Sequence, residues 1–199
     1  MAEEIEAKFY VTHLVDIQRR VKLINAALLE PRVLERNLRF DTATQDLRRA
    51  GRVLRLRQDR RSRLTYKDSG RFEAGALKRR ELEFELSDFG AAQQLLEALG
   101  YQVIFIYEKY RTTYKFGQHQ LMLDEMPYGN FVEIEGEPVG LEAAARLLGL
   151  KWQASIPDSY SALFERVHNR LQLGFRDLTF ENFQGVRLSA DDLAVNPAD

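Results

Sequence analysis

Charged side chains at alternate positions are the feature of this sequence that points most directly to chemistry. Glu4, Glu6 and Lys8 have this spacing near the start, and Glu133 and Glu135 repeat it much later. Because side chains alternate across a β-strand, each set lies on one face of its strand. Carboxylate oxygens are ligands that Mg²⁺ and Mn²⁺ prefer. The spacing therefore predicts acidic faces able to hold divalent cations.

Basic side chains show the same alternation on other predicted strands. Arg55 and Arg57 form one pair, Lys109 and Arg111 form another, and Lys67 ends a third strand. Arginine binds phosphoryl oxygens through a bidentate fork, which makes these faces suitable for a polyanion. Surface sheets usually place opposite charges on neighbouring strands. Here the acidic pairs and the basic pairs lie on different strands instead, which indicates that these faces bind a ligand.

Eight strands and four helices are expected to position these residues. The alternation predicts strands over residues 4–11, 33–42, 53–57, 63–67, 79–86, 104–116, 120–124 and 131–135. Apolar spacings of three and four, with capping residues, predict helices over residues 14–28, 87–99, 141–148 and about 159–171, with Ser87 as an N-cap. Short turns join most of the strands, so we expect an antiparallel sheet.

The charged faces point either to water or into a barrel. Helices outside a barrel need an apolar sheet face, and these residues supply it: Leu54, Leu56, Leu64, Tyr66, Leu82, Phe84, Val132 and Ile134. Eight strands enclose a space for side chains or one small ligand. We therefore predict an α+β fold, a closed eight-stranded antiparallel β-barrel with a charged lumen and helices outside. Buried charges need counter-ions, so we expect such a lumen to bind a charged ligand.

Composition narrows the classes of function. The 199 residues suit a single domain over 1–199, with 156–199 as a C-terminal helical extension and 191–199 as a mobile tail. A net charge of −1 argues against a nucleic-acid or membrane partner. There is no cysteine for a disulfide or a thiolate site. No apolar run reaches membrane-spanning length or resembles a signal peptide, so we expect a cytoplasmic monomer or homodimer.

The motifs resemble those of the CYTH superfamily, the triphosphate tunnel metalloenzymes. Glu4, Glu6 and Lys8 match its ExExK signature, and the later motifs follow in order at residues 36–42, 54–57, 64–67, 79–83, 108–111, 123–125 and 129–135. The resemblance runs from Glu3 to about Tyr160. Arg39 stands where the family often has an aromatic residue, and Ala43 where proline is common. These two departures bear on substrate fit.

The resemblance implies a tunnel that grips a triphosphate and uses Mg²⁺ or Mn²⁺. Its expected phosphate ligands here are Arg39, Arg55, Arg57, Lys67, Arg79, Lys109 and Arg111, with outer salt bridges as the alternative for Arg39 and Arg79. Its expected metal ligands are Glu4, Glu6, Glu133 and Glu135, with Asp124 for a second ion. Glu81 and Glu83 either join them or orient the basic residues.

Catalytic roles are expected for Glu4, Glu6 and Lys8. Nearby cations and metals should depress the pKa of Lys8. Three roles stay open for this lysine: to orient the attacking water, to act as a base, or to hold a phosphate. None of the three histidines forms a convincing nucleophilic arrangement.

We expect a metal-dependent hydrolase of inorganic tripolyphosphate, a nucleoside triphosphate or thiamine triphosphate. One alternative is a class IV type adenylate cyclase that makes cyclic AMP and pyrophosphate, and another is a polyphosphate- or nucleotide-binding module without turnover. The sequence shows no set of residues that would form a pocket for adenine and ribose. Tripolyphosphate is therefore expected to be at least as good a substrate as ATP.

Overall fold

The computed structural model describes residues 3–199, with side chains from Ile5 onward. The described residues form nine strands, which are Glu3–Val11 (β1), Ala27–Asp41 (β2), Val53–Gln58 (β3), Ser62–Lys67 (β4), Arg71–Glu73 (β5), Ala76–Leu86 (β6), Gln102–Phe116 (β7), His119–Met126 (β8) and Gly129–Glu135 (β9). The helices are Leu14–Leu23 (α1), Asp46–Arg49 (α2), Phe89–Ala98 (α3), Leu141–Leu147 (α4), Tyr160–Leu171 (α5) and Ala190–Leu193 (α6), with a 3₁₀ helix at Trp152–Ala154.

Eight of the strands form a closed antiparallel ring. Its order is β1-β9-β8-β7-β2-β3-β4-β6, and pairing of β6 with β1 closes it. The short β5 is a ninth strand that pairs with the start of β6. The predicted closed antiparallel architecture with helices outside is therefore confirmed. The additional strand lies where the sequence predicted a loop.

The first helix is shorter than predicted. It ends at Leu23 instead of Leu28, and Asn25 then takes a positive φ of 54° in the turn to β2. The strand starts at Ala27 and continues through Pro31, which lies where its register against β7 shifts. A bulge tolerates proline because a residue there need not donate to the ladder.

The segment around β6 also differs from the prediction. Ala74 and Gly75 both have positive φ and turn β5 into β6, which begins at Ala76 instead of Arg79. Asp88, and not Ser87, caps α3 by accepting a hydrogen bond from the Ala91 amide. A side-chain oxygen at this position satisfies an amide that the helix leaves unpaired.

Helices cover much of the outer face of the ring. Helices α1 and α4 pack on β1, β8 and β9, and α3 packs on Leu54 and Leu56 of the β2–β3 region. Val132 and Ile134 are buried in the first of these clusters, as predicted. Leu82 and Phe84 were wrongly expected to be covered. They are 45% and 55% exposed, because the covering helices lie against other strands.

The last residues of the chain contact β1 and the start of α1, and the mobility expected for 191–199 stays a prediction. The Asp199 carboxylate accepts hydrogen bonds from the Thr12 and His13 amides at the start of α1. The Ala198 amide donates to the carbonyl of Tyr10, and Leu193 is buried. The physical reason is that carboxylate oxygens satisfy free amides at a helix N-terminus. None of the described helices combines the length and hydropathy needed to cross a membrane.

Candidate active site

One cavity inside the ring collects the predicted phosphate ligands. It has a volume of about 460 Å³ and is called the tunnel here. All seven basic residues predicted to bind phosphate line it, namely Arg39, Arg55, Arg57, Lys67, Arg79, Lys109 and Arg111. They come from strands β2, β3, β4, β6 and β7, so the closed ring is what brings them together.

A buried glutamate that the sequence analysis did not select lies among these cations. Glu35 is 3% exposed, and its carboxylate lies 3.5 Å from Arg57 and 3.6 Å from Lys109. Burial alone would raise the pKa of Glu35, but Lys109, Arg111 and Arg57 together bring it down to about 2. The sequence signal that could have identified Glu35 is its alternation with Arg39 on β2, which places both side chains on the same face of the strand.

Glu81 and Glu83 hold basic side chains in place. The Glu81 carboxylate lies 2.9 Å from the Lys67 ammonium. Glu83 accepts hydrogen bonds from Arg57 at 3.2 Å and from the Thr65 hydroxyl at 2.8 Å. Both glutamates line the tunnel, and these contacts are those that an orienting role requires. The acidic and basic side chains therefore interleave across neighbouring strands, and are less segregated than the sequence suggested.

The acidic set lines the same tunnel. Glu6, Glu133 and Glu135 all face it, while Glu4 lies on β1 with its side chain outside the described residues. Glu6 and Glu135 are directly opposite each other across β1 and β9. Like charges at such a position are destabilising unless a cation offsets them. Arg79 lies 3.3 Å from Glu6 and provides part of this compensation.

The fit of this set to a metal ion follows from its chemistry. Among the described side chains, no group of three or more metal-binding residues is already assembled. Mg²⁺ usually takes one or two carboxylates and completes its coordination with water and substrate phosphates. The opposed Glu6 and Glu135 meet that requirement. Glu133 is instead held by Lys8 at 3.2 Å and by a short contact with Arg111.

Lys8 has acidic neighbours in this arrangement. Its ammonium lies 3.2 Å from Glu133, donates to the Asp158 carbonyl and sits 4.5 Å above the Tyr160 ring. Burial alone would lower the pKa of Lys8, but Glu133 and Glu6 raise it above its usual value overall. The expected depression was wrong for the protein without metal, because carboxylates and not cations dominate around this lysine.

Asp124 is fully buried behind the tunnel wall. It accepts hydrogen bonds from Lys109 at 2.9 Å, from Arg111 at 2.6 Å and from the Tyr160 hydroxyl at 2.7 Å. These contacts fix two of the basic residues that line the tunnel. Its role as a ligand of a second ion stays a prediction.

The N-terminal end of helix α5 lines the tunnel, which the sequence analysis did not foresee. Tyr160, the first residue of α5, lines the tunnel beside Ser159 and Ser161, and the Tyr128 hydroxyl holds its carbonyl. Ser161 accepts a hydrogen bond from Arg39. These residues are uncharged and far along the chain from their partners, so alternation of charge could not reveal them.

The comparison with protein families identifies the chain. The model of the CYTH domain matches residues 2–147. The chain belongs to the CYTH family. Members of this family are generally enzymes, either triphosphatases or cyclases, and they act on small triphosphates with divalent metals. Helix α5 lies beyond the matched residues of this CYTH protein.

Solved structures support the CYTH fold. A proposed adenylate cyclase from Vibrio parahaemolyticus is 23% identical with a TM-score of 0.72, over 81% of this chain and 97% of that one. A protein from Pyrococcus horikoshii is 27% identical with a TM-score of 0.68, over 79% and 96%. A proposed adenylyl cyclase from Hippeastrum, described as having a dominant triphosphatase activity, is 22% identical with a TM-score of 0.64, over 81% and 95%. The search of curated proteins gave no match.

Proposed function

We propose that this CYTH protein hydrolyses a triphosphate inside the tunnel, with Mg²⁺ or Mn²⁺. One observation carries the proposal: seven basic residues line a cavity of about 460 Å³ whose wall also carries the opposed carboxylates Glu6 and Glu135. The cations match a polyanion, and the carboxylates match the metal that accompanies it.

The basic residues would bind and orient the phosphate chain. Phosphoryl transfer requires positioning and charge neutralisation more than covalent chemistry from the protein. Arginines such as Arg55 and Arg57 offer paired donors for phosphoryl oxygens. Glu81 and Glu83 limit the movement of their cationic partners, so much of this array is organised before substrate enters.

The acidic residues would hold the metal. Glu6 and Glu135 face each other, and Glu4 is the third candidate by its spacing. A bound divalent cation supplies charge neutralisation for the phosphates and activates water as a nucleophile. Lys8 would donate to a substrate oxygen or to the attacking water from the same wall.

The test is metal-dependent release of orthophosphate. ATP, GTP, thiamine triphosphate and tripolyphosphate are each incubated with Mg²⁺, with Mn²⁺, and with a chelator. We expect orthophosphate from at least one triphosphate, and the chelator should abolish its release. Tight binding of a triphosphate without any turnover would overturn hydrolysis and identify a binding module.

Adenylate cyclisation is a second candidate for a specific reason. The tunnel shares Arg39, Arg79 and Ser161 with the lining of a further cavity of about 550 Å³, which is large enough for the organic part of a nucleotide. Cyclisation yields cyclic AMP and pyrophosphate from ATP, whereas hydrolysis of the terminal phosphate yields orthophosphate. The products therefore separate the two reactions.

A further inference from the structure

The hydroxyl of Tyr107 lies among the basic side chains of the tunnel, although the sequence analysis did not select this residue. Tyr107 is on β7, two residues before Lys109, and its side chain lines the tunnel. It is 6% exposed. Its ring stacks on Phe105 with centroids 5.7 Å apart and planes inclined by 21°, which limits rotation of the ring. A polar group held in this way in a binding cavity calls for an account of its hydrogen-bond partners.

The one hydrogen bond of the Tyr107 hydroxyl leaves its hydrogen unused. Nη1 of Arg55 donates to the phenol oxygen at 3.3 Å. A guanidinium has donors and no acceptor, so the hydroxyl can only accept in this contact. Within residues 5–199, whose side chains the structure describes, no group accepts the hydroxyl's own hydrogen. A buried donor without a partner is unfavourable, so an acceptor that enters the tunnel would stabilise it.

Two neighbouring protein acceptors do not take this hydrogen. Asn37 is opposite Tyr107 in the register of β2 and β7, and both polar atoms of its buried side chain lack a hydrogen-bond partner within the same described residues. Glu35 has its carboxylate 3.5 Å from Arg57 and 3.6 Å from Lys109. The hydroxyl hydrogen therefore remains available to a ligand.

The charges around the phenol favour an anionic acceptor. Arg39, Arg55 and Lys109 act on it from β2, β3 and β7. Glu35 is the opposing carboxylate. Burial alone would raise the pKa of Tyr107, but Arg55 and Lys109 bring it below its ordinary value. A more acidic phenol is a stronger donor, and hydrogen bonds to a charged oxygen are stronger than those between neutral groups.

We infer that the Tyr107 hydroxyl donates a hydrogen bond to a phosphoryl oxygen of the triphosphate, and so acts as a neutral ligand beside the basic residues of the tunnel. The inference rests on the proposed function and adds a specificity-determining residue to the same site. Because Arg55 donates to the same hydroxyl, the guanidinium and the phenol would contact the substrate as a unit. Alternation of charge could not reveal Tyr107, because its side chain carries no charge.

The first test removes the hydroxyl and keeps the ring. Tyr107→Phe retains the surface that stacks on Phe105, and Tyr114→Phe, which packs in the core cluster outside the ring, is the matched control on the same strand. Binding of tripolyphosphate is measured by calorimetry at low salt with a chelator present, so that turnover and screening are both suppressed. We expect Tyr107→Phe to weaken binding at least tenfold and Tyr114→Phe to stay within twofold of wild type. A change of less than twofold in Tyr107→Phe would overturn the inference.

The second test asks whether the hydroxyl binds the ligand itself or only holds Arg55. Tyr107→Phe is combined with Arg55→Ala in a double-mutant cycle with the same calorimetric measurement. If the hydroxyl contacts a phosphoryl oxygen, Tyr107→Phe weakens tripolyphosphate at least threefold further in the Arg55→Ala protein. If the hydroxyl only orients the guanidinium, its removal has no further effect there, and the role of Tyr107 as a ligand is refuted.

These binding measurements separate the inference from the proposed function, because they require no turnover. If Tyr107→Phe weakens tripolyphosphate and the wild type hydrolyses no triphosphate, the hydrolase proposal falls and the assignment of Tyr107 stands. If the wild type releases orthophosphate and Tyr107→Phe binds tripolyphosphate as tightly as wild type, the hydrolase stands and the assignment falls. Failure of the wild type to bind tripolyphosphate would overturn the assignment as well.

Discussion

The hydroxyl of Tyr160 donates a 2.7 Å hydrogen bond to Oδ2 of Asp124, which joins helix α5 to the tunnel wall. Asp124 also accepts from Lys109 and Arg111. A residue beyond the CYTH match at 2–147 therefore supports two basic residues of the tunnel. The C-terminal segment is part of the architecture of the candidate site.

Tyr160→Phe should weaken both stability and turnover. It removes a buried hydrogen bond to a charged group, for which a loss of about 1.5–3 kcal/mol in unfolding free energy is typical. We also expect kcat/KM to fall, because Lys109 and Arg111 lose part of their support. Denaturant unfolding and steady-state kinetics measure the two effects. Tyr101→Phe, whose hydroxyl makes no hydrogen bond with the described residues, is the control and should be silent.

Glu35→Gln should destabilise the protein in a pH-dependent way. The pKa of Glu35 falls from 4.5 to about 2 on folding, so its contribution is fully present above pH 4.5 and disappears as pH falls through 2. A shift of this size corresponds to about 3 kcal/mol near neutral pH. Chemical denaturation should show that the difference in unfolding free energy between Glu35→Gln and wild type shrinks from pH 7 to pH 3.

The exposed Glu181→Gln is the control for this series. It should change the unfolding free energy little at any pH. A difference between Glu35→Gln and wild type that stayed constant from pH 7 to pH 3 would refute the linkage.

Glu6→Gln and Glu135→Gln should each abolish metal-dependent turnover while the circular dichroism spectrum stays native. Each removes a carboxylate from the opposed pair, so calorimetric binding of Mn²⁺ should also be lost. The sequence makes the same prediction for Glu4→Gln. Removing like charge could raise stability without metal, but Arg79 already offsets Glu6 and should keep this gain small.

The control for the carboxylate variants is Glu137→Gln, an exposed residue just beyond β9. It should retain both Mn²⁺ binding and activity. Wild-type hydrolysis by Glu6→Gln at saturating Mg²⁺ would show that the metal assignment is wrong.

Arg57→Ala should lower kcat/KM by a factor that corresponds to a loss of about 2–4 kcal/mol in transition-state stabilisation. This is the range for removal of one charged hydrogen-bond donor from a site that excludes water. The same range is expected for Lys109→Ala. Both variants leave Glu35 with less compensation, so kinetics must be measured well below their unfolding temperatures. Arg60→Ala and Arg61→Ala, in the exposed turn before β4, are the matched controls. Similar effects at all four positions would contradict a specific role for the tunnel.

The ring and most tunnel residues were predictable because a closed sheet preserves the alternation of its strands. Arg57 and Lys109, for example, both point into the tunnel because alternate residues of β3 and β7 lie on the inner face of the ring. Glu35 was harder to assign, because an acid on a strand that also carries Arg39 breaks the sorting of charge. Its role as a partner of the basic residues is evident only when the strand register places it opposite Lys109.

The contribution of α5 to the tunnel wall could not be predicted from local patterns. Tyr160 meets Asp124 across 36 residues of sequence, and no periodicity encodes such a contact. Phe105 and Phe164 read as ordinary apolar residues of a strand and a helix, and they stack on each other only because α5 packs against β7. Long-range packing therefore supplies the contacts that join α5 to the tunnel wall.

The most direct test of the account is the product mixture formed from ATP with Mn²⁺ at alkaline pH. Orthophosphate, pyrophosphate and cyclic AMP are quantified together in one reaction by chromatography. The account predicts orthophosphate as the main phosphorus product, with little cyclic AMP. Equal amounts of cyclic AMP and pyrophosphate without orthophosphate would contradict hydrolysis and establish the cyclase.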